Sequence, residues 1–229
     1  MPLSSVRVCL RLEILGRNAN IPTRIDIKRT LAMKTTLLLA LMSIVSLSAA
    51  EPAAMKTEEA ILAGGCFWCT EGCYLIVKGV TSVTSGYIGG KVDNPSYEQV
   101  CTGTTGHAEA VKIVFDPSIV SYKDLVELFW YAHDPTTLNS QGNDHGTQYR
   151  SGIFYTTDEQ KKIAEESKAS HQKEFESPIV TEVTAATKFY PAEKYHQDFA
   201  NKNPNQGYVC AIVKPKVEKF KKKLAQLSK

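Results

Sequence analysis

The stretch 61-ILAGGCFWCTEGC-73 decides how this chain is read. The apolar run Ile61–Ala63 leads into Gly64 and Gly65, and three cysteines follow around the aromatic pair Phe67 and Trp68. A short apolar run, a glycine break and a helix-compatible segment predict a buried strand turning into a helix, with Cys66 at the helix start. There the unpaired backbone N–H groups and the positive end of the dipole favour an anion. A thiol so placed is expected to fall from about 8.5 to roughly 3.5–7.5 in pKa. Three chemistries compete for such a site: a metal knuckle, a thioredoxin-type dithiol, and one reactive thiolate beside an aromatic pocket. Cys66, Cys69 and Cys73 offer three metal ligands, but no second CxxC or HxxxH completes a tetrahedral set, so no metal is expected. Cys66 and Cys69 have dithiol spacing, yet the chain is long for a thioredoxin fold, and its polar loops would have no task there.

Outward from this stretch, strand-like and helix-like segments alternate. Strands are expected over 61–64, 80–90, 108–116, 151–157 and 178–190. Helices are expected over 66–78, 121–133, 158–175, 193–202 and 215–227, with Ser121 and Thr157 as N-caps. Two polar, glycine-rich segments, 88–109 and 133–150, read as long functional loops. The pattern predicts an α+β fold, a mixed or antiparallel sheet with helices packed on it.

The first fifty residues are set apart. From Met33, MKTTLLLALMSIVSLSAA has the charge, apolar run and small-residue exit of a signal peptide, with cleavage expected after Ala50. The run is short for a bilayer span, so no stable membrane anchor is expected. Residues 1–32 read as an extension upstream of the true start, with an arginine-rich targeting peptide as the alternative. Residues 51–58 form a linker and 59–229 one catalytic domain. Export to the periplasm or beyond is expected if translation starts at Met33; an organelle or the cytoplasm is the alternative. Past residue 50 the chain holds 20 basic and 22 acidic residues, a formal charge of −2, so the excess basicity of the whole chain lies in the presequence and no nucleic-acid partner is expected. The run KFKKKLAQLSK reads as a solvated helix end. Five cysteines remain there, and an odd count in an exported protein leaves at least one thiol free or transiently paired.

GCFWCTEG, NPSYEQVCTGTTGHAEAV, HDPTTLNSQGNDHGTQYRS, YPAEKYHQDF and GYVC, in this order over residues 60–215, resemble the type A peptide methionine sulfoxide reductases. The resemblance implies a ferredoxin-like α+β core with extended loops. It also implies reduction of the S epimer of methionine sulfoxide, free or in proteins, as part of protein repair under oxidative stress. Cys66 matches the family's nucleophile, which becomes a sulfenic acid. Glu109 matches the acid, which needs a raised pKa to give a proton near neutrality. Tyr97 and Tyr149 match phenols that hydrogen-bond the sulfoxide oxygen. Phe67 and Trp68 match the wall that receives the methionine methyl group, and Asp144 matches a polar residue near the substrate.

Outside that motif company each has a plainer reading: Glu109 as a solvent-facing strand residue, the tyrosines as core or interface side chains, Phe67 and Trp68 as core, Asp144 as a turn residue. Cys210, in GYVC, is the leading resolving thiol, one residue later than the family's GYC; Cys69, one helical turn from Cys66, is the rival. Cys73 and Cys101 read as spectators. His107, His133, His145 and His196 read as structural, and His171 as exposed. No bound cofactor is expected; the partners implied are oxidised methionine and a thioredoxin-like reductant, and a monomer is the default expectation.

Overall fold

The computed structural model describes residues 56–227. The expected extension, signal peptide and most of the linker lie outside these residues.

Strand β1, Glu58–Gly64, is flanked on one side by β3, Ala108–Phe115, and on the other by β6, Ser151–Tyr155. Strand β2, Val80–Ile88, pairs with the far side of β3, and all three pairings are antiparallel. Helix α1, Phe67–Tyr74, connects β1 to β2, and helix α3, Tyr122–Ala132, lies between β3 and β6. The result is a βαββαβ unit with β3 inserted between β1 and β2, the split arrangement of ferredoxin-like cores. Two short strands extend it: β7, Glu182–Ala185, runs parallel to β6, and β8, Tyr190–Pro191, pairs with β2. A separate two-stranded ribbon, β4 Ser140–Gln141 and β5 Asp144–His145, lies within the second polar loop.

The twofold period of β1 and β3 divides the core. Ala60, Leu62, Val111, Ile113 and Phe115 face the helices. Ile61, Ala63, Ala108 and Ala110 pack on the opposite face with Phe154 and Phe189. Both faces are apolar because both are covered, which is why the strands read as apolar runs. Glu109 has the parity of Val111 and therefore enters the helix-covered face, where it is 1% exposed.

Helix starts follow local chemistry. Ser121 and Asp124 form a capping box at α3, and Thr157 caps α4, Asp158–His171. The first polar loop holds an unanticipated short helix α2, Tyr97–Cys101, closed by a Ser96–Gln99 capping box. Three expectations need correction. The strand expected over 178–190 is split into β7 and β8, on opposite edges of the sheet. The helix expected over 193–202 is reduced to α5, Phe199–Lys202, because Asp198 takes a left-handed conformation. His171 is buried: it contacts Glu127 at 2.8 Å and Glu174 at 3.1 Å and stacks on Trp130. The chain closes with a π-turn over Val209–Val213 and helix α6, Lys214–Leu227, which seats Phe220 against Tyr74 of α1.

Candidate active site

The site is built where β1 ends and α1 begins. Gly65 makes the turn with φ +84, and a Cβ there would lie 2.6 Å from Gln141, so both conformation and space demand glycine. Cys66 is the N-cap of α1, and its carbonyl accepts the N–H groups of Cys69 at 3.1 Å and Thr70 at 3.3 Å. The N–H of Phe67, one of the donors a helix start leaves unpaired, reaches across to Glu109 Oε2 at 3.0 Å. Strand β3 thus places its one inward carboxyl against the turn that carries the cysteine.

Burial pushes the Glu109 carboxyl well above the ordinary range, with the neighbouring Cys66 sulfur adding to the effect. Burial thus favours its neutral, proton-bearing form. The two thiols behave as a coupled pair. Cys66 is held well above the usual thiol value, first by its hydrogen bond with Cys69 and then by burial. Cys69 is lowered by that same hydrogen bond, with help from the positive charge of Lys216. The lowered thiol expected at Cys66 is therefore found at Cys69, its partner in the shared hydrogen bond. Burial raises Cys73 to about 12, so it remains a neutral core group.

Aromatic rings surround the sulfurs. Phe67 lies 6.0 Å from Tyr87 and 4.9 Å from His196. Trp68 stacks on Phe199 at 3.8 Å, with 7° between the planes. Tyr149 packs against the Cys66–Cys69 cluster, and its phenol is raised by burial, then by Glu109 and Cys66. The Tyr97 phenol is raised by burial, by a hydrogen bond with Cys101, and by Glu109. Tyr97 is fixed at its backbone, where its N–H donates to Glu193 at 2.9 Å, and its ring lies 4.5 Å from His196. Cys66, Glu109, Phe67, Trp68, Tyr97 and Tyr149 therefore converge on one locality.

Asp144 is tied in through Tyr208, which the sequence pattern does not single out. Tyr208 Oη donates to Asp144 Oδ2 at 2.6 Å, sets its ring edge on Trp68 at 5.9 Å and shares a hydrogen bond with Cys66. Within GYVC it is the tyrosine that belongs to the site. His196, expected to be structural, forms part of the aromatic lining beside Phe67, Trp68 and Tyr97. His107 and His133 bond to backbone and hydroxyl partners: Gly90 N–H to His107 Nδ1 at 3.1 Å, and His133 Nε2 to Ser151 Oγ at 2.7 Å.

The two resolving candidates are placed differently. Cys69 is buried in the cluster with Cys66, Val209 and Val213. Cys210 is exposed, and its thiol donates to the carbonyl of Pro204 at 3.3 Å. All five cysteines are free among the described residues, and there no cluster of His, Cys, Asp and Glu suits a metal ion.

Residues 58–228 match the family model described as peptide methionine sulfoxide reductase. The chain is 55% identical over 172 residues to peptide methionine sulfoxide reductase MsrA of Polynucleobacter asymbioticus, covering 74% of this chain and 90% of the relative. It is 56% identical over 165 residues to the MsrA of Saccharolobus solfataricus, covering 72% and 93%. The fold resembles the crystal structure of Mxr1 from Saccharomyces cerevisiae in reduced form, with TM-score 0.64 and 36% identity over 68% of this chain and 90% of that one. Methionine sulfoxide reductase A of Corynebacterium diphtheriae is equally similar in fold, with TM-score 0.64 and 35% identity over 69% and 78%. A family match across nearly all the described residues, with the converging side chains inside it, leaves one conclusion: the chain belongs to the peptide methionine sulfoxide reductase family.

Proposed function

We propose that this protein reduces the S epimer of methionine sulfoxide, free and within proteins, to methionine, and so repairs oxidised proteins. The observation that carries the reading is the junction of β1 and α1 with β3, where a cysteine sulfur and a carboxyl whose neutral form burial favours meet beside an aromatic wall. The methionine methyl group would rest against Phe67 and Trp68, where sulfur and methyl contacts with aromatic faces are favourable. The phenols of Tyr97 and Tyr149 would hold the sulfoxide oxygen, and Glu109 would give it a proton. Cys66 then bonds to the sulfoxide sulfur as its S–H bond breaks, the thiol proton passing to solvent. The hydroxyl moves from the substrate sulfur to Cys66. This releases methionine and leaves a sulfenic acid on the enzyme, the reversible first step of thiol oxidation. A second thiol condenses with it, water leaves, and a dithiol protein of the thioredoxin class reduces the disulfide.

The epimer preference and the reductant class rest on the family resemblance. Export rests on the pattern of residues 33–50, and mass spectrometry of the mature N-terminus tests it: a chain beginning at Glu51 supports export, whereas retained residues before Ala50 refute it. Turnover of free methionine sulfoxide with dithiothreitol tests the activity. The wild type should consume one epimer only, and Cys66→Ser should be inactive. Equal activity of that variant would remove the nucleophile.

A further inference from the structure

We infer that Glu193 is a positioning residue of the site: its carboxylate ties the main chain of Tyr97 to Tyr87 of β2 and so sets the Tyr97 phenol where the sulfoxide oxygen is held. The inference rests on the proposed reduction, in which that phenol binds the oxygen, and concerns what places it there.

Tyr97 opens α2, and its N–H is one that the Ser96–Gln99 capping box does not serve, since the box pairs the N–H groups of Ser96 and Gln99. Glu193 Oε1 accepts it at 2.9 Å. The other oxygen, Oε2, accepts the Tyr87 hydroxyl at 2.9 Å. Tyr87 stands directly opposite Glu109 in the β2–β3 register, so the two side chains share the helix-covered face. Through Glu193 the Tyr97 phenol is therefore located relative to the strand pair that carries the acid.

Glu193 is itself held from both sides. β8 pairs Tyr190 with Tyr87, and the Ala192 N–H donates to the Ser85 carbonyl at 2.9 Å. On the other side the His196 N–H donates to the Glu193 carbonyl at 2.9 Å. That turn seats the His196 ring, whose Nε2 is 3.8 Å from Glu193 Oε2, against the Tyr97 ring at 4.5 Å. Partial burial pushes the Glu193 carboxyl up, but the hydrogen bonds it accepts, those from Tyr97 and Tyr87 among them, outweigh this and hold it below the ordinary carboxylate value. The acceptor is thus charged, and such bonds are the stronger kind.

Val100 buries the middle of α2, while the loop around it turns at Gly89, Gly103 and Gly106, all with positive φ. Without the Glu193 bond the short helix is free to tilt about Val100 and carry the phenol off the oxygen. A displacement of about 1 Å can cost about 10²-fold in rate.

The test is single-turnover release of methionine from methionine S-sulfoxide by the reduced full-length chain. Glu193→Ala should slow release by about 10–100-fold. Glu193→Gln, which keeps an acceptor for the Tyr97 N–H, should restore most of the rate. The loss should shrink to less than about twofold in a Tyr97→Phe background, because the two residues act as one unit. It should persist or grow in Tyr149→Phe, where Tyr97 holds the oxygen alone. If Glu193→Ala misfolds by circular dichroism, Glu193→Asp, one methylene too short for both bonds, replaces it with the same expectations. An unchanged rate overturns the inference, as do equal losses in all three backgrounds, which mark a purely structural role. Wild-type release in the same assay separates the two readings. No methionine refutes the proposed activity, whereas release with equal losses refutes only the role of Glu193.

Discussion

At the scale of single residues, Glu109 combines two demands that oppose each other. Its side chain is inward because β3 alternates, and its neutral form is favoured because the surrounding core desolvates it. A carboxyl whose folded-state pKa is raised binds more protons in the native than in the unfolded chain. Its contribution to stability is complete below the unfolded pKa and is lost as pH rises toward the folded one. Glu109→Gln removes the titration while keeping an acceptor for the Phe67 N–H. The variant should be more stable than wild type in urea unfolding at pH 8, yet slower in single-turnover reduction by about 10²–10⁴-fold. Equal single-turnover rates would defeat the acid role. Glu109 was legible in the sequence only through its GHAE company, since a lone glutamate on a strand ordinarily faces water.

At the scale of elements, α1 is the piece on which the site depends, and Glu71 ties it to the segment that carries the aromatic lining. The Glu71 carboxyl accepts the Asp198 N–H at 2.9 Å, and Phe199, stacked on Trp68, follows at once. Burial raises Glu71 to about 7. Between about pH 4.5, where it titrates in the unfolded chain, and about 7, its ionisation withdraws stability. Glu71→Gln should therefore match wild type near pH 4.5 and exceed it above pH 7 by about 1–3 kcal/mol in urea unfolding. A pH-independent difference would contradict this account.

The elements also show why some structure was readable and some was not. β1, β3 and α3 carry strong periodicity and caps in consecutive residues, so local pattern located them. The split of 178–190 into β7 and β8 depends on which strand edge each piece meets, and no local period encodes that choice. α2 hid inside a polar loop because a five-residue helix has too few turns to show an apolar stripe, although Ser96 and Gln99 spell its capping box. The burial of His171 escapes local pattern because its partner Glu127 is supplied by α3, distant in sequence.

At the scale of the whole molecule, the fold holds its two tryptophans in unlike surroundings. Trp130 is in the main core, with its indole N–H bonded to Ser167 at 2.8 Å. Trp68 lies flat on Phe199 and packs against the cluster of Cys66 and Cys69. Thiols and thiolates in contact with an indole quench its emission by electron transfer, and a disulfide quenches it differently. Conversion of the sulfur pair should therefore alter the light emitted by one ring and leave the other constant. Trp130→Phe should retain the emission change when methionine sulfoxide is added to the reduced enzyme, and Trp68→Phe should abolish it. The parallel ring stack beside the sulfurs then makes the protein its own redox gauge, readable in a cuvette without dye or label.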